Sequence, residues 1–472
     1  MVVDVPLITI GGGLGSFALV DVLRVAGVPA EKIRVVSPDR APDARFLRLC
    51  RVSGLADTDR LRSDSSSRID NPWGFPGYAL EHAWRTRRVW PLFRVLTEPV
   101  FSEYYTPTVG QVHAGLCREA ERIDWGSMVV HGVATGLHRG DGGYVVTVEP
   151  ASGGQPVLYR SRFVHLALGY GGLRFPAGAH DFRDRDPAGD RLVHAYEPHE
   201  HVYTTLAERS GAVLVRGAGI TASRVLQRLA DDRKTSGREI RVWHLFRRPA
   251  EARGWPARLC RYSGGGFACQ PFNFPKAAFG GQLRDRISQL PAAERAEAIK
   301  AMGATSTPYR RLWARQLRRG MAEGWYRAVA GEVIELSPTV SGIEARVRPL
   351  SGEPVILPVH FVINATGLDP DIRRHPLLES LLDGLGATMN PLGGLDVGHD
   401  FEVLNTASGP GLIYASGVAA AGGHLAPVDS LAGLQLAALA IADSLARHGL
   451  GPRLRSVRSA AAWWCWMRNR PI

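Results

Sequence analysis

Residues 5–16 read VPLITIGGGLGS, an apolar run that leads directly into a glycine-rich turn. A mostly apolar stretch of helical length follows at residues 17–25, and a second apolar run occupies residues 33–37. This order predicts a strand, a loop, a helix and a second strand. The spacing Gly11-x-Gly13-x-x-Ser16 is typical of a turn that binds the pyrophosphate of a dinucleotide.

Each position in this turn has a physical task. Gly11 permits the tight turn, Gly13 lets a pyrophosphate approach the backbone, and the small Ser16 lets the helix pack closely on the strand. The helix N-terminus offers free N–H groups and a partial positive charge to the phosphates. The acidic residue that usually binds ribose is displaced here, and a glycine turn alone also suits a purely structural loop. The predicted cofactor-binding residues of this unit are Gly11, Gly13, Gly15, Ser16, Ser37 and Asp39.

A second unit of the same kind begins at residue 212. Residues 212–222 read AVLVRGAGITA, a helix is predicted at 223–229, and an apolar run follows at 240–246. Two such units in one chain predict two nucleotide-binding domains. Arg247 and Arg248 stand where a 2′-phosphate would lie, and no acidic residue there would bind a ribose hydroxyl, so NADPH is favoured over NADH. The assigned residues are Gly217, Gly219, Ala222, Arg247 and Arg248.

Three further apolar runs end in turns of small residues. Those at 163–169 and 361–367 are placed where the chain crosses between the two domains, and the third, at 411–417, leads towards a helix that starts near Ser430. The cofactor-binding residues assigned to these segments are Ala167, Gly169, Gly367, Gly417 and Ser430.

Composition limits the class of protein. The chain has 472 residues, of which 45% are hydrophobic and 22% charged, which excludes a disordered or collagen-like chain. The net charge of +12 comes from arginine, since only four basic residues are lysine. This charge favours anionic ligands, but no basic stripe with interleaved aromatic residues predicts nucleic-acid binding. Five scattered cysteines without a CxxC pair predict neither a disulfide framework nor a metal site.

Targeting signals are not recognised in the sequence. The chain shows no signal peptide, and its most apolar stretch is shorter than the ~20 residues that span a bilayer. A cytoplasmic protein without a membrane segment is therefore expected.

The arrangement resembles the flavoproteins that carry two dinucleotide-binding domains. The resemblance rests on both glycine turns, on Ala365-Thr366-Gly367 and on Tyr414-Ala415-Ser416-Gly417. It implies an α/β fold, in which an FAD-binding Rossmann-like domain contains an inserted NAD(P)-binding Rossmann-like domain with a helical insertion. The implied boundaries are 1–175 for the first part of the FAD domain, 190–354 for the NAD(P) domain, about 254–330 for its insertion, and 355–472 for the second part of the FAD domain. Gly417 and the first turn of the Ser430 helix would face the flavin.

Within that group the chain resembles the class B flavin-dependent monooxygenases. A disulfide reductase needs a redox cysteine pair, which is missing. The Baeyer–Villiger fingerprint FxGxxxHxxx[WYF] is matched only at His194, which leaves an N-hydroxylase-like or an uncharacterised member of the class. The expected protein is an NADPH-consuming FAD monooxygenase that acts on a small molecule, free or carrier-bound, by N-hydroxylation of an amine or amino acid. The alternative is an oxygen-independent FAD/NAD(P)H dehydrogenase or reductase. Both a monomer and a homodimer remain open.

Three residues are candidates for catalysis. Asn273 lies in a loop rich in proline and aromatic residues, where its amide would hydrogen-bond the nicotinamide or the activated oxygen. Lys276, in the same loop, would hold a carboxylate or phosphate. His424 precedes the helix expected at the flavin and would donate a hydrogen bond or exchange a proton there. Each of the three also suits a structural role.

Overall fold

A computed structural model describes residues 2–61, 75–97, 105–247, 282–302, 311–426, 428–468 and 470–471. The strands are β1 (Val2–Ile10), β2 (Ile33–Ser37), β3 (Val129–Gly140), β4 (Gly143–Pro150), β5 (Val157–Leu166), β6 (Gly172–Leu173), β7 (Leu192–His194), β8 (Gly211–Arg216), β9 (Ile240–Phe246), β10 (Tyr326–Pro338), β11 (Ile343–Pro349), β12 (Val355–Val359), β13 (Phe361–Asn364), β14 (Leu368–Asp369) and β15 (Leu412–Ala415).

The helices are α1 (Leu14–Ala26), α2 (Ala44–Val52), α3 (Phe75–Thr86), α4 (Trp90–Leu96), α5 (Val109–Arg122), α6 (Trp125–Met128), α7 (Ala179–Arg185), α8 (Glu200–Arg209), α9 (Ile220–Ser236), α10 (Gln282–Gln289), α11 (Ala292–Met302), α12 (Arg311–Ala322), α13 (Pro376–Gly384), α14 (Leu431–Arg447) and α15 (Ser456–Met467). Short 3-10 helices lie at Ala30–Lys32, Ile372–Arg374 and Gly417–Ala420. Within the described ranges, every helix is too short or too polar to cross a membrane.

The first sheet is built around β1. This strand pairs in parallel with β2 and β5, β5 pairs in parallel with β15, and β2 pairs in parallel with β3. Strands β3, β4 and β5 also form an antiparallel meander. Residues 7–10 of β1 are all buried, because both faces of the parallel part are covered. Helices α1 and α14 lie side by side on this sheet and bury residues such as Phe17 and Ile441.

The second sheet has the order β12-β11-β10-β9-β8-β13-β7. Its strands β10, β9, β8, β13 and β7 are parallel, whereas β11 and β12 continue it as an antiparallel meander. Alternate residues of β8 point to opposite faces: Val213 and Val215 pack with α8 and α9, and Leu214 packs with α7. The expected α/β class with mainly parallel sheets is confirmed.

The structure moves two of the predicted boundaries. The first sheet takes its strands from residues 2–166 and 412–415, and the second lies between them in the chain. Strands β12 and β13 belong to the second sheet, so the expected return to the first domain at residue 355 is too early. The chain crosses instead beside the two-stranded pairing of β14 with β6. The helical insertion also ends earlier than residue 330, since β10 begins at Tyr326.

Candidate nucleotide-binding site

The first glycine turn has the geometry of a phosphate cradle. Gly11 has φ +95°, and a Cβ there would lie 2.5 Å from the carbonyl oxygen of Ala167. Gly13 is the N-cap residue of α1, and no side chain caps the helix or places an acid in its first turn. A Cβ on Gly13 would meet no atom within 4 Å. The first N–H groups of α1, which lack helical partners, therefore border open space that accommodates an anion.

The second turn repeats this geometry. Gly217 has φ +129°, and a Cβ there would collide with the carbonyl oxygen of Ala365. Gly219 is the N-cap residue of α9, with φ −83° and ψ −172° against −82° and −168° at Gly13. It too would place a Cβ in open space. In both units an alanine that follows the strand before the domain crossing, Ala167 after β5 or Ala365 after β13, supplies a carbonyl that only glycine can face so closely.

The small residues in the third position of the two turns serve packing. Ala222 is 1% exposed and lies in the core between α9 and the second sheet. Ser16 is fully buried; its hydroxyl lies 2.6 Å from Thr9 Oγ1 and donates to the carbonyl of Gly11. Ser16 therefore fixes the shape of the turn and does not border the open space at Gly13. The prediction that a small residue is needed here agrees with this packing.

A buried chain of hydrogen bonds extends from this turn across β1 and β5 to the residue that follows β15. His165 Nδ1 lies 2.8 Å from Thr9 Oγ1, and His165 Nε2 lies 2.9 Å from Ser416 Oγ. Ser416 directly precedes Gly417, whose φ of +68° starts the turn after β15. Full burial lowers the pKa of His165 to about 3, so its ring is neutral at pH 7. The chain of hydrogen bonds thus ties the two predicted flavin-facing turns together. The sequence signal, a histidine within an apolar strand, is too common to have identified it.

His165 makes the stability of the first domain depend on pH. Its folded-state pKa of about 3 lies below the ordinary value of 6.5, so only the unfolded chain takes up this proton as pH falls from 6.5. Stability is therefore lost towards acid, by up to about 1.4 kcal/mol per pH unit for this residue. We expect His165→Gln to reduce the difference in unfolding free energy between pH 7 and pH 5, as measured by denaturant titration. The exposed His138→Gln is the control, and equal pH dependence in both variants would contradict the prediction.

The start of α14 lies next to the first turn. A Cβ on Gly15 would be 3.2 Å from Ser416 Oγ and 3.5 Å from Leu434, and one on Gly417 would be 3.4 Å from the same leucine. Ser430 is the N-cap of α14 and accepts from the N–H of Gly433 over 3.0 Å. The first turn of α14 therefore lies beside the first glycine turn, and its role at a flavin stays a prediction.

The loops after β2 and β5 lie at the same edge of the first sheet as the first glycine turn. Ser37 is buried and accepts from the N–H of Asp39 over 3.1 Å, whereas the carboxylate of Asp39 pairs with Arg48. Gly169 has φ +70° and follows Ala167 after β5. Tyr170 donates to Asp429 over 2.6 Å, so this acid bridges to the β5 loop, while the neighbouring Ser430 caps α14.

The residues predicted to bind the nicotinamide nucleotide lie only in part within the residues that the structure describes. Arg247 is exposed at the end of β9, and Arg248 lies outside the described residues. Gly367 has φ +87°, and its carbonyl accepts from the N–H of Arg174 over 3.1 Å at the domain crossing. The roles of Arg247 and Arg248 stay predictions.

The three catalytic candidates are not brought together in the described part of the chain. Asn273 and Lys276 lie outside it. His424 is 7% exposed, and its ring lies 4.6 Å from that of Phe401 and 5.1 Å from that of His399. Burial lowers its pKa to about 4, with smaller effects from His399 and two nearby arginines, so it does not exchange a proton near neutral pH. Its Nδ1 has no hydrogen-bond partner among the described residues, and a role as donor stays a prediction.

One cluster was not anticipated from the sequence. Asp43, His113 and Cys117 place ligand-type atoms within 4.8 Å of one another. His113 and Cys117 share a face of α5 at helical spacing, whereas Asp43 comes from a distant loop, so no linear spacing revealed them. His113 Nδ1 lies 2.6 Å from Asp43 Oδ2, and burial raises the pKa of the Cys117 thiol. The hydrogen bond accounts for the cluster without an ion.

Comparisons with known proteins were made at the levels of sequence and structure. A scan against protein-family models and a search of curated proteins each found no match. Among solved structures, an ornithine hydroxylase from Pseudomonas aeruginosa matches with TM-score 0.67 and 19% identity, over 94% of this chain and 100% of that one.

Two further structures show how wide this similarity is. An ornithine N-hydroxylase from Kutzneria sp. 744, in complex with reduced FAD, NADP+ and L-ornithine, matches with TM-score 0.68 and 15% identity, over 94% of this chain and 99% of that one. A bacillithiol disulfide reductase from Bacillus cereus matches with TM-score 0.56 and 15% identity, over the same shares. Identities this low establish fold and not activity. The chain therefore has the two-domain fold found in amine-hydroxylating monooxygenases and in a disulfide reductase.

Proposed function

We propose that this protein is an FAD-dependent, NADPH-consuming monooxygenase that hydroxylates the nitrogen of an amine or amino acid. The observation that carries the proposal is the pair of matching glycine turns, one on each sheet. Each turn leads into a helix whose N-terminus has no side-chain cap and borders open space. The two chain segments that connect the sheets pair with each other through β6 and β14. The Kutzneria complex contains two dinucleotides, reduced FAD and NADP+, which supports one dinucleotide for each turn. We assign FAD to the first sheet and NADPH to the inserted second sheet.

The residues present fit FAD at the first sheet. The turn at Gly13 offers backbone N–H groups to the pyrophosphate, and a side chain there would enter the same space. The first turn of α14, beside Gly15 and Gly417, places a partial positive charge where a reduced flavin would carry negative charge. When bound, FAD would accept a hydride from NADPH and activate dioxygen. The polypeptide holds the two nucleotides, orients them and keeps water away.

Cysteine chemistry is not favoured at Cys50 or Cys117. Burial raises the pKa of Cys50 to about 12, and the pKa of Cys117 is also raised, so neither is a ready thiolate at pH 7. The fold shared with the bacillithiol disulfide reductase nevertheless keeps an oxygen-independent oxidoreductase as the second candidate.

The two candidates differ in their use of oxygen. The full chain, loaded with FAD, is supplied with NADPH and in turn with ornithine, lysine and a five-carbon diamine. A monooxygenase forms a hydroxylamine only in the presence of oxygen, and NADPH consumption rises with one of these amines. If the enzyme reduces an organic acceptor at full rate without oxygen and forms no hydroxylamine, the reductase assignment replaces ours.

NADPH preference is assigned to the arginines that follow β9. The double variant Arg247→Ala, Arg248→Ala is expected to bind NADPH roughly 10- to 100-fold more weakly, because a charge-assisted hydrogen bond contributes about 1.5–3 kcal/mol. Its affinity for NADH should be nearly unchanged. The ratio of the two dissociation constants tests this. An equal loss for both nucleotides would assign these arginines a structural role.

A further inference from the structure

Three polar side chains lie in one row at the carboxyl ends of adjacent strands in the second sheet. Asn364 on β13 is in register with Arg216 on β8 and with His194 on β7. Each stands two positions after a residue that packs on the α7 face, namely Leu214, Val362 and Leu192. Because side chains alternate along a strand, all three polar residues lie on that same face.

Among the residues that the structure describes, several polar atoms of this row have no hydrogen-bond partner. They are Arg216 Nη1, both side-chain atoms of Asn364, and His194 Nε2. Asn364 and His194 are 0% exposed, whereas Arg216 keeps partial access to solvent. Buried polar groups are almost always hydrogen-bonded in folded proteins, so such a group of unpaired atoms points to a missing ligand.

Arg216 is the member of the row whose removal from water is least favourable, because it carries a charge. No acid pairs with its guanidinium in the part of the chain that the structure describes. Burial lowers its pKa only to about 10, so it carries its charge at neutral pH. A partly buried cation without a counter-charge destabilises the fold, and an anionic ligand would reduce that penalty.

The position of Arg216 favours a nucleotide phosphate as this anion. Arg216 immediately precedes the Gly217 turn and the N-terminus of α9. From β8 the chain leads through α9 to β9 on one side, while β13 lies on the other. The point between β8 and β13 is where strand order reverses, and ligands of open α/β sheets bind in the crevice at such a point.

The first unit provides an internal comparison. Its corresponding residues are Ile10 and Leu166, which are also in register and also precede Gly11 and Ala167. Both are apolar and buried. The glycine turn therefore forms without a polar pair beneath it, and the polar pair in the second unit is not explained by the needs of the fold.

We propose that Arg216 binds the pyrophosphate of the nicotinamide dinucleotide, with Asn364 as a positioning residue beside its guanidinium. This inference rests on the proposed function. It assigns to Arg216 a phosphate that NADPH and NADH share, whereas Arg247 and Arg248 are assigned the 2′-phosphate that NADPH alone carries. The two groups of arginines thus differ in their expected selectivity.

The test uses Arg216→Met, which removes the charge and keeps much of the side-chain volume. We expect the dissociation constants of NADP+ and NAD+ both to rise by roughly 10- to 100-fold, with an unchanged ratio. Without nucleotide, the FAD-loaded variant should unfold at the same temperature as the wild type or higher, because an unpaired buried charge is gone. Arg241→Met is the control: Arg241 lies on β9, is 71% exposed and pairs only loosely with Glu239.

Each outcome decides the inference. Unchanged affinity in Arg216→Met would overturn it, as would a clear loss of stability without nucleotide, which would show that Arg216 is paired in the fold. If Arg216→Met does not fold, Arg216→Lys replaces it. Its NADP+ affinity is then expected to be measurable but lower than that of the wild type, and wild-type affinity would overturn the inference. Failure of the proposed function looks different: the wild type would form no hydroxylamine from any of the amines, whether or not it binds NADP+.

Discussion

Gly13→Val is expected to give a folded protein that is colourless. The N-cap backbone at Gly13 is extended, with φ −82° and ψ −168°, which valine adopts without strain, and a Cβ there meets no protein atom within 4 Å. The valine methyl groups would instead occupy the space in which the pyrophosphate contacts the helix N-terminus. Loss of even one charge-assisted contact lowers affinity by roughly 10- to 100-fold. FAD content per polypeptide, measured by absorbance after gel filtration, checks this.

Gly11→Val separates loss of cofactor from loss of fold. At Gly11 the positive φ and the 2.5 Å approach to the Ala167 carbonyl leave no room for a side chain, so the variant should lose about 2 kcal/mol or more of stability. Gly13→Val without FAD should instead unfold within about 0.5 kcal/mol of the wild type without FAD. Yellow Gly13→Val protein with normal FAD content would exclude the first turn as the flavin site.

Gly219→Val is expected to retain FAD and to lose NADPH-dependent flavin reduction. Its backbone matches that at Gly13, and its Cβ also enters open space. The second domain should therefore fold around an obstructed nucleotide turn. We expect NADPH affinity to fall by at least roughly 10-fold, while chemical reduction of the flavin by dithionite is unchanged.

Gly217→Val is the comparison variant that separates loss of nucleotide binding from loss of fold in the second domain. Gly217→Val would collide with the carbonyl of Ala365 at a φ of +129° and should unfold the second domain. If Gly219→Val reduces its flavin with NADPH at the wild-type rate, the assignment of the second turn to the nicotinamide nucleotide is wrong.

The sequence predicted what depends on local chemistry. Both turns were identified because a strand, spaced glycines and a helix are contiguous in the chain, and the positive φ of Gly11 and Gly217 confirms why glycine stands there. The return at residue 355 was wrong because an alternating strand such as Val355–Val359 does not encode which sheet it joins.

What the sequence did not reveal depends on register between distant strands. The hydrogen bonds of His165 join residues 156 and 251 positions apart, and the row at Arg216 exists only because β13 lies between β8 and β7. No local pattern distinguishes these residues from ordinary polar residues near strand ends.

Turnover under isotopically labelled dioxygen tests the central claim most directly. The FAD-loaded wild type is incubated with NADPH and the amine that accelerates NADPH consumption, and the product mass is measured. Our account predicts one labelled oxygen atom on nitrogen for each product molecule formed. A product without label, together with equal turnover when oxygen is removed, would contradict the assignment of this protein as a monooxygenase.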